Sequence, residues 1–374
     1  MEDPRYQKLA QVLTTYSLKI KPGDRLAIWS PVPGARLVRE VYREALRTGA
    51  HPVARLMLGG TAGTFAFDGL TEMKLREGSK EQLRFVEGDL REIEGYDALL
   101  AILADEKTNR LADVDPARMA LFQQSRGPLM QRFMERWSQG ALRWCITLCP
   151  TEAHAQDAGM SLDEYEDFVF GAGLLNEEDL AGAWCNVYAE LRRIAGWLGK
   201  REEIHVVAPG TDLTYRVGGR TWVDAGGINN FPDGEVFTGP VEDSVNGTIR
   251  FSYPAVYGGV EVEDVRLQFR DGRVVEATAA RGQEFLDAML NQDPGARYVG
   301  EVAFGMNYGI KRFTRNILFD EKLGGTMHLA LGMSIPNTGG KNQSSLHWDM
   351  ICDLRAGRVY ADGELCYAAG KFTI

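Results

Sequence analysis

The sequence predicts an α/β amino-terminal domain with a largely parallel sheet, followed by a β-rich α+β carboxy-terminal domain. Three observations predict it. In the first half, short apolar runs alternate with stretches of helical period, the signature of strands joined by crossover helices. In the second half, β-type runs follow one another with turn residues between them, and one helical stretch stands among them. Between the halves lies "GWLGKREE", a glycine-punctuated, charged segment that sets the boundary near Lys200. The expected domains are therefore 1–200 and 201–374, and 374 residues suffice for two sizeable cores.

The elements follow in order. Tyr6, Leu9, Val12, Leu13 and Tyr16 recur at three and four, so 4–18 reads as an amphipathic helix. "DRLAIWS" (24–30) is a short strand. Leu37, Val38, Val41, Tyr42, Ala45 and Leu46 mark the next helix, closed by Gly49. Strands are expected at 52–58, 98–104 and 142–148, with a helical stretch over 115–140 between the last two and another over 161–200. "SPVPGAR" follows the first strand where a G-x-G-x-x-G would stand, so dinucleotide binding has no support. Beyond the boundary, "EIHVVAPG", "DLTYRVGG", "TIRFSYPA", "VRLQFRDGRVVEATA", "MHLALGM" and "LHWDMICDL" read as strands, and "GQEFLDAMLNQ" (282–292) as the helix. "RDGR" (270–273) and "RAGR" (355–358) read as hairpin turns.

Composition excludes some classes. The chain is 44% hydrophobic and 25% charged, with a net charge of −10, which argues against nucleic acid or an anionic membrane as a partner. No apolar run reaches the roughly 18–20 residues of a membrane span. The opening "MEDPRYQKLAQVL" lacks the pattern of a secretion signal. The five cysteines are Cys145, Cys149, Cys185, Cys352 and Cys366; an odd, scattered set fits a reducing cytoplasm. Cys145 and Cys149 read as core residues of one strand, and the "NGT" sequon at Asn246 as a turn.

Chemistry concentrates late in the chain. His347 and Asp349, two apart in a strand, share a face, and His328 stands in a neighbouring strand-like run. Imidazole and carboxylate are the ligand types of Zn²⁺, Co²⁺, Mn²⁺ and Fe²⁺. Glu235 in "NNFPDGEVFTGP" and Glu301 in "YVGEVAFG" are carboxylates in apolar or turn-rich settings, and burying an unpaired one costs several kcal/mol. A metal would supply the counter-charge. Spacing alone leaves plainer readings open: Glu235 as a turn residue, Glu301 as a cap or a partner of Lys311 or Arg312. His51 after a helix end, His154 in a polar loop and His205 in a strand read as structural.

The stretches "NFPDGEVFTGP", "VGEVAFG", "NILFDEKLGGTMHLALG" and "SSLHWDM" resemble, in that order, motifs of the thermophilic aminopeptidase family (aminopeptidase T and relatives). "YSLKIKPGDRLAIWSPVPGARLVREVYREALRTGA" is similar to that family's opening. The resemblance implies a metal-dependent exopeptidase with two divalent ions (Zn²⁺, Co²⁺ or Mg²⁺). It assigns Glu235, Glu301, His328, His347 and Asp349 as ligands, with Glu301 the bridge. A metal-activated water would release N-terminal residues from peptides, and the chains would pair as homodimers. A glutamate free of the metals would act as general base, with Glu321 one candidate, and Lys311 and Arg312 are candidates for positioning substrate. One position departs from the family: the tyrosine that follows the first histidine by seven residues, an oxyanion stabiliser, is here Ile335. Tyr308 is the candidate replacement. The departure keeps two rivals open, a mononuclear Fe²⁺ ring-cleaving dioxygenase of the 2,5-dihydroxypyridine type on His328, His347 and Asp349, and a catalytically weak metal-binding homologue.

Overall fold

The apolar run Ala98–Leu103 has no polar side chain, and such a run is stable only when both faces are covered. In the computed structural model, which describes residues 3–58, 60–61, 67–86, 91, 93–111 and 113–374, it lies in the middle of a five-stranded sheet. The order is Asn230–Phe231, Arg143–Leu148, Ala98–Leu103, Arg25–Pro31, His51–Met57, and every neighbouring pair is parallel. The helix Ala35–Arg47 makes the crossover between the first two strands of the chain. The α/β reading of this half therefore holds, and the four main strands fall within a residue or so of their expected places.

The differences have local causes. The expected helix over 4–18 is α-helical only at Arg5–Val12 and widens into a π turn at Leu13–Ser17. There the hydroxyls of Thr14 and Thr15 donate to the carbonyls of Ala10 and Gln11, competing with the backbone ladder. The expected helix over 161–200 is two, Leu162–Ala172 and Leu180–Leu198. The first closes at Gly173, and Leu174 then takes left-handed backbone with φ of 58°.

The chain divides into two compact units: Met1–Ala181 with Gly227–Pro232, and Gly182–Gly226 with Asp233–Ile374. The second unit thus begins before Lys200, because Leu191, Ile194, Ala195 and Leu198 of the last helix are buried in its core. It is strand-rich, as the β-type runs predict, and holds two larger sheets, of eight and of five strands. "RDGR" is a hairpin turn: Arg270 pairs with Arg273, and Asp271 and Gly272 both have positive φ. "RAGR" is not. It joins Asp353, whose strand pairs with Thr326–Gly332, to Arg358, whose strand lies in the eight-stranded sheet.

The five-stranded sheet of the second unit is antiparallel, in the order His347–Asp353, Thr326–Gly332, Val299–Gly305, Glu235–Thr238, Val223–Ala225. One face is apolar and buried in the core: Val236, Val302, Phe304, Met327, Leu329, Leu331, Trp348, Met350 and Cys352.

Candidate metal centre

Strand alternation sends the remaining residues of that sheet to its other face. Cross-strand partners share a face, and the register pairs Glu301 with Ala330, Ala330 with Asp349, Gly332 with His347, Ala303 with His328, and Glu235 with Gly305. Glu235, Glu301, His328, His347 and Asp349 therefore stand together on one face, among the small residues Ala303, Gly305, Ala330 and Gly332. Small neighbours leave room above the sheet for five long polar side chains. A β-bulge lies between Val299 and Glu301. Across the bulge the register shifts, so Val299 pairs with Leu331 on the core face while Glu301, two residues on, pairs with Ala330 on the other face. Gly300 sits at the bulge, where a Cβ would stand 2.2 Å from the Met333 carbonyl.

Both histidines are oriented from behind. The Nδ1 of His328 donates to the Glu321 carbonyl at 2.9 Å, and that of His347 to the Met333 carbonyl at 2.8 Å. A carbonyl only accepts, so Nδ1 carries a proton and Nε2, the nitrogen left for a cation to take, faces the carboxylates. His328 Nε2 lies 3.5 Å from Glu235 Oε2, 3.5 Å from Glu301 Oε1 and 4.0 Å from Asp349 Oδ1. His347 Nε2 lies 3.5 Å from Glu301 Oε2 and 3.7 Å from Asp349 Oδ2. These separations are long for hydrogen bonds. They match donors arranged around a common cation, since atoms about 2.0–2.2 Å from an ion stand roughly 3–4 Å apart. Two three-donor groups emerge, Glu301–His347–Asp349 and Glu321–His328–Asp349, with ligand atoms within 4.8 Å of one another in each.

The electrostatics describe a cluster short of positive charge. Burial raises Glu235 well above the usual carboxylate range, against the opposing pull of Lys322. Burial also raises Asp349. Glu301 is lowered, because His328 and His347 outweigh its burial. His328 is raised to about 10, its own burial being outweighed by Glu301, Glu235 and Asp349. His347 is raised as well, since Asp349 and Glu301 overcome its burial. Glu235 Oε2 is buried without a hydrogen-bond partner. A divalent cation fits this donor set: it satisfies that oxygen and replaces protons that the carboxylates otherwise hold on the imidazoles.

The other expected residues fall in different places. Glu321 is in the cluster, as part of one three-donor group. Tyr308 is not: its hydroxyl donates to the Gly370 carbonyl at 3.0 Å, its ring lies under Lys371, and it is 43% exposed. Lys311 and Arg312 are exposed, and Ile335 is half-buried in the loop after Thr326–Gly332. Lys322, which the sequence reading does not single out, is wholly buried and ion-pairs with Glu235 at 3.5 Å and with Glu321. The signal for it was present in "ILFDEKLGG": a lysine closing an apolar turn next to a carboxylate. Among the remaining histidines, His154 is corrected from a polar loop to the short helix Glu152–Asp157, where it is buried and bonded to Asp105.

An antiparallel sheet with this cluster on one face has the donor chemistry of a metalloenzyme. Comparison with known proteins then fixes the family. The chain belongs to the thermophilic metalloprotease family (M29), whose model matches residues 2–372, and so to a class of hydrolases. It is 28% identical over 395 residues to Aminopeptidase 2 of Geobacillus stearothermophilus, covering 96% of this chain and 94% of that one. It is 30% identical over 292 residues to Aminopeptidase AmpS of Bacillus subtilis, covering 68% and 71%. Among solved structures, wild-type AmpT from Thermus thermophilus matches with a TM-score of 0.82 at 23% identity, over 99% of both chains. A 2,5-dihydroxypyridine dioxygenase from Pseudomonas putida matches at 0.60 and 16% identity, over 99% of this chain and 96% of that one. At these identities the two solved structures speak to the fold alone.

Proposed function

We propose that the protein is an aminopeptidase that removes N-terminal residues from peptides at a centre of two divalent metal ions held by Glu235, Glu301, His328, His347 and Asp349. The observation that carries this is the attitude of Glu301. Its two oxygens each lie 3.5 Å from a different imidazole Nε2, the disposition of a bridging carboxylate. Asp349 repeats the pattern at 4.0 and 3.7 Å. The names of the relatives support the exopeptidase reading.

When bound, divalent ions supply an acidified water and a polarised scissile carbonyl. The chain's own residues do the rest. Glu235, Glu301, Glu321 and Asp349 concentrate negative charge that receives the free ammonium of a peptide and disfavours a blocked terminus. The backbone carbonyls of Glu321 and Met333 hold the imidazoles in one tautomer. We assign proton transfer to Glu321, which takes a proton from the attacking water and returns it to the leaving amine. Domain 201–374 is, in this reading, the catalytic one. Ile335 offers no donor to the developing oxyanion and Tyr308 is engaged elsewhere, so a modest rate is expected.

The test is metal analysis joined to substrate choice. Two ions per chain, with hydrolysis of leucine anilide but not of its N-acetyl derivative, is the expected result. Zinc, cobalt and magnesium reconstitution identifies the working ion. One bound iron with oxygen uptake on 2,5-dihydroxypyridine would overturn the reading in favour of the dioxygenase. Gel filtration tests the homodimer.

A further inference from the structure

The two three-donor groups share Asp349 but differ in their company. Lys322 is 0% exposed, so bulk water does not solvate its ammonium. Its ion pairs are with Glu235 Oε1 at 3.5 Å and with Glu321 Oε1. Both of these carboxylates belong to the His328 side: Glu235 turns its other oxygen to His328 Nε2, and Glu321 forms a three-donor group with His328. Among the described residues, no ion pair joins Lys322 to Glu301 or to Asp349, the carboxylates grouped with His347.

We propose that Lys322 is a built-in counter-cation that makes the two halves of the centre unequal, so that the His347 side takes its divalent ion tightly and the His328 side weakly. The inference rests on the two-ion reading above and concerns the order and strength of loading. The physical reason is competition between like charges for the same oxygens. Glu235 has one oxygen engaged by the ammonium, which lowers the negative charge it offers a second ion, and the charge of Glu321 beside it is offset in the same way. The ammonium also repels an ion placed beside His328. At an effective dielectric of about 20 and a separation of about 4 Å, repulsion between unit charges alone corresponds to about a thousandfold loss of affinity, so a difference of at least about tenfold survives screening and relaxation. Lys322 is thus a positioning residue: it holds Glu235 and Glu321 in place while the His328 side is empty, and shifts that side toward exchangeable loading.

Protein stripped by a chelator is titrated with Zn²⁺ against a chromophoric competitor, so that stepwise affinities are read apart from turnover. Two steps separated by about tenfold or more are expected. His347→Ala should remove the tight step, and His328→Ala the weak one with the tight step unchanged. Lys322→Met, which keeps the length of the side chain without its charge, should bring the weak step toward the tight one. Equal affinities in the wild type, within about threefold on the same scale, would overturn the proposal even if the Met variant fails to fold. So would a weak step that weakens further in Lys322→Met, since a purely structural lysine behaves that way. Wild-type protein that binds no Zn²⁺ at all would sink the metal-centre reading itself, a distinct result.

Discussion

Each of the two units buries histidine against carboxylate, and the two arrangements are unlike. In the first, His154 Nε2 meets Asp105 Oδ2 at 2.9 Å, one imidazole against one carboxylate, beside a Thr151 hydroxyl that donates to the Asp105 carbonyl. In the second, His328 stands 3.5–4.0 Å from three carboxylates and His347 3.5–3.7 Å from two of the same three, and Glu301 and Asp349 each turn their two oxygens to different imidazoles. The first pair is a closed hydrogen bond between the loop after Ala98–Leu103 and the short helix Glu152–Asp157. The second set converges on a point that no member occupies. Burial alone does not separate structure from function here, since His154 is as buried as His328. Spacing does: pairing at hydrogen-bond distance completes a contact, whereas convergence at the longer distance leaves a place for a further atom.

The largest break in that contrast comes from Glu301→Gln. It removes the negative charge of the proposed bridge and leaves an amide that offers one ligand oxygen. Peptidase activity should fall by about 10²–10³-fold or more, with bound metal reduced, measured by anilide hydrolysis and elemental analysis. Full activity with two ions retained would remove Glu301 from the centre. Asp105→Ala breaks the other arrangement. It leaves His154 buried with neither ring nitrogen partnered, since Nδ1 already has no hydrogen bond. Stability should drop by about 1–3 kcal/mol in urea unfolding while metal content stays the same. Loss of metal in this variant would mean that the two units are not separate in function.

The next effect sharpens the contrast from the side of the family departure. Ile335→Tyr restores a hydroxyl two residues beyond Met333, whose carbonyl orients His347. Anilide hydrolysis should rise by about tenfold, less than the full value of an oxyanion donor because the surrounding loop is not shaped for it. An unchanged rate would mean that another group already stabilises the oxyanion.

What could be read from the sequence follows the same division. The parallel strands were legible because Ala98–Leu103 and its neighbours are apolar runs of strand length, and burial of both faces leaves no ambiguity of phase. His347 and Asp349 were legible as a pair because a period of two is a property of strands. Glu301 as a member of the cluster was harder to place by alternation, since the bulge puts it out of phase with Val299; the family resemblance supplied it. Lys322 and the Asp105–His154 pair escaped for another reason. Each depends on contacts between segments 46 or more residues apart, or on burial of a charge, and neither leaves a periodic trace. "RAGR" misled because a turn-forming sequence fixes a change of direction and not the sheet to which the next strand belongs.

The smallest expected effect concerns how the ligand strand is anchored. Asp293 accepts hydrogen bonds from the Ser345 backbone amide and hydroxyl, both at 2.8 Å, from the Ser344 hydroxyl at 2.9 Å and from the Gly295 amide at 2.9 Å. It thereby ties down the segment that enters His347–Asp353. Partial burial pushes its carboxyl up, but the donors of Ser345, Ser344 and Gly295 outweigh that and hold it below the ordinary range. A carboxylate depressed in the folded state stabilises fully above its unfolded value of about 3.9 and loses that contribution as pH falls through the folded value. Asp293→Asn should therefore cost about 1 kcal/mol near neutral pH, and the gap to wild type should close below about pH 4. A gap that persisted into acid would trace the loss to shape and not charge. The same variant also asks whether the convergent site tolerates slack. His347 keeps its hydrogen bond to Met333, so metal binding should weaken only slightly, whereas Asp105→Ala, which touches no ligand strand, should leave it unmoved.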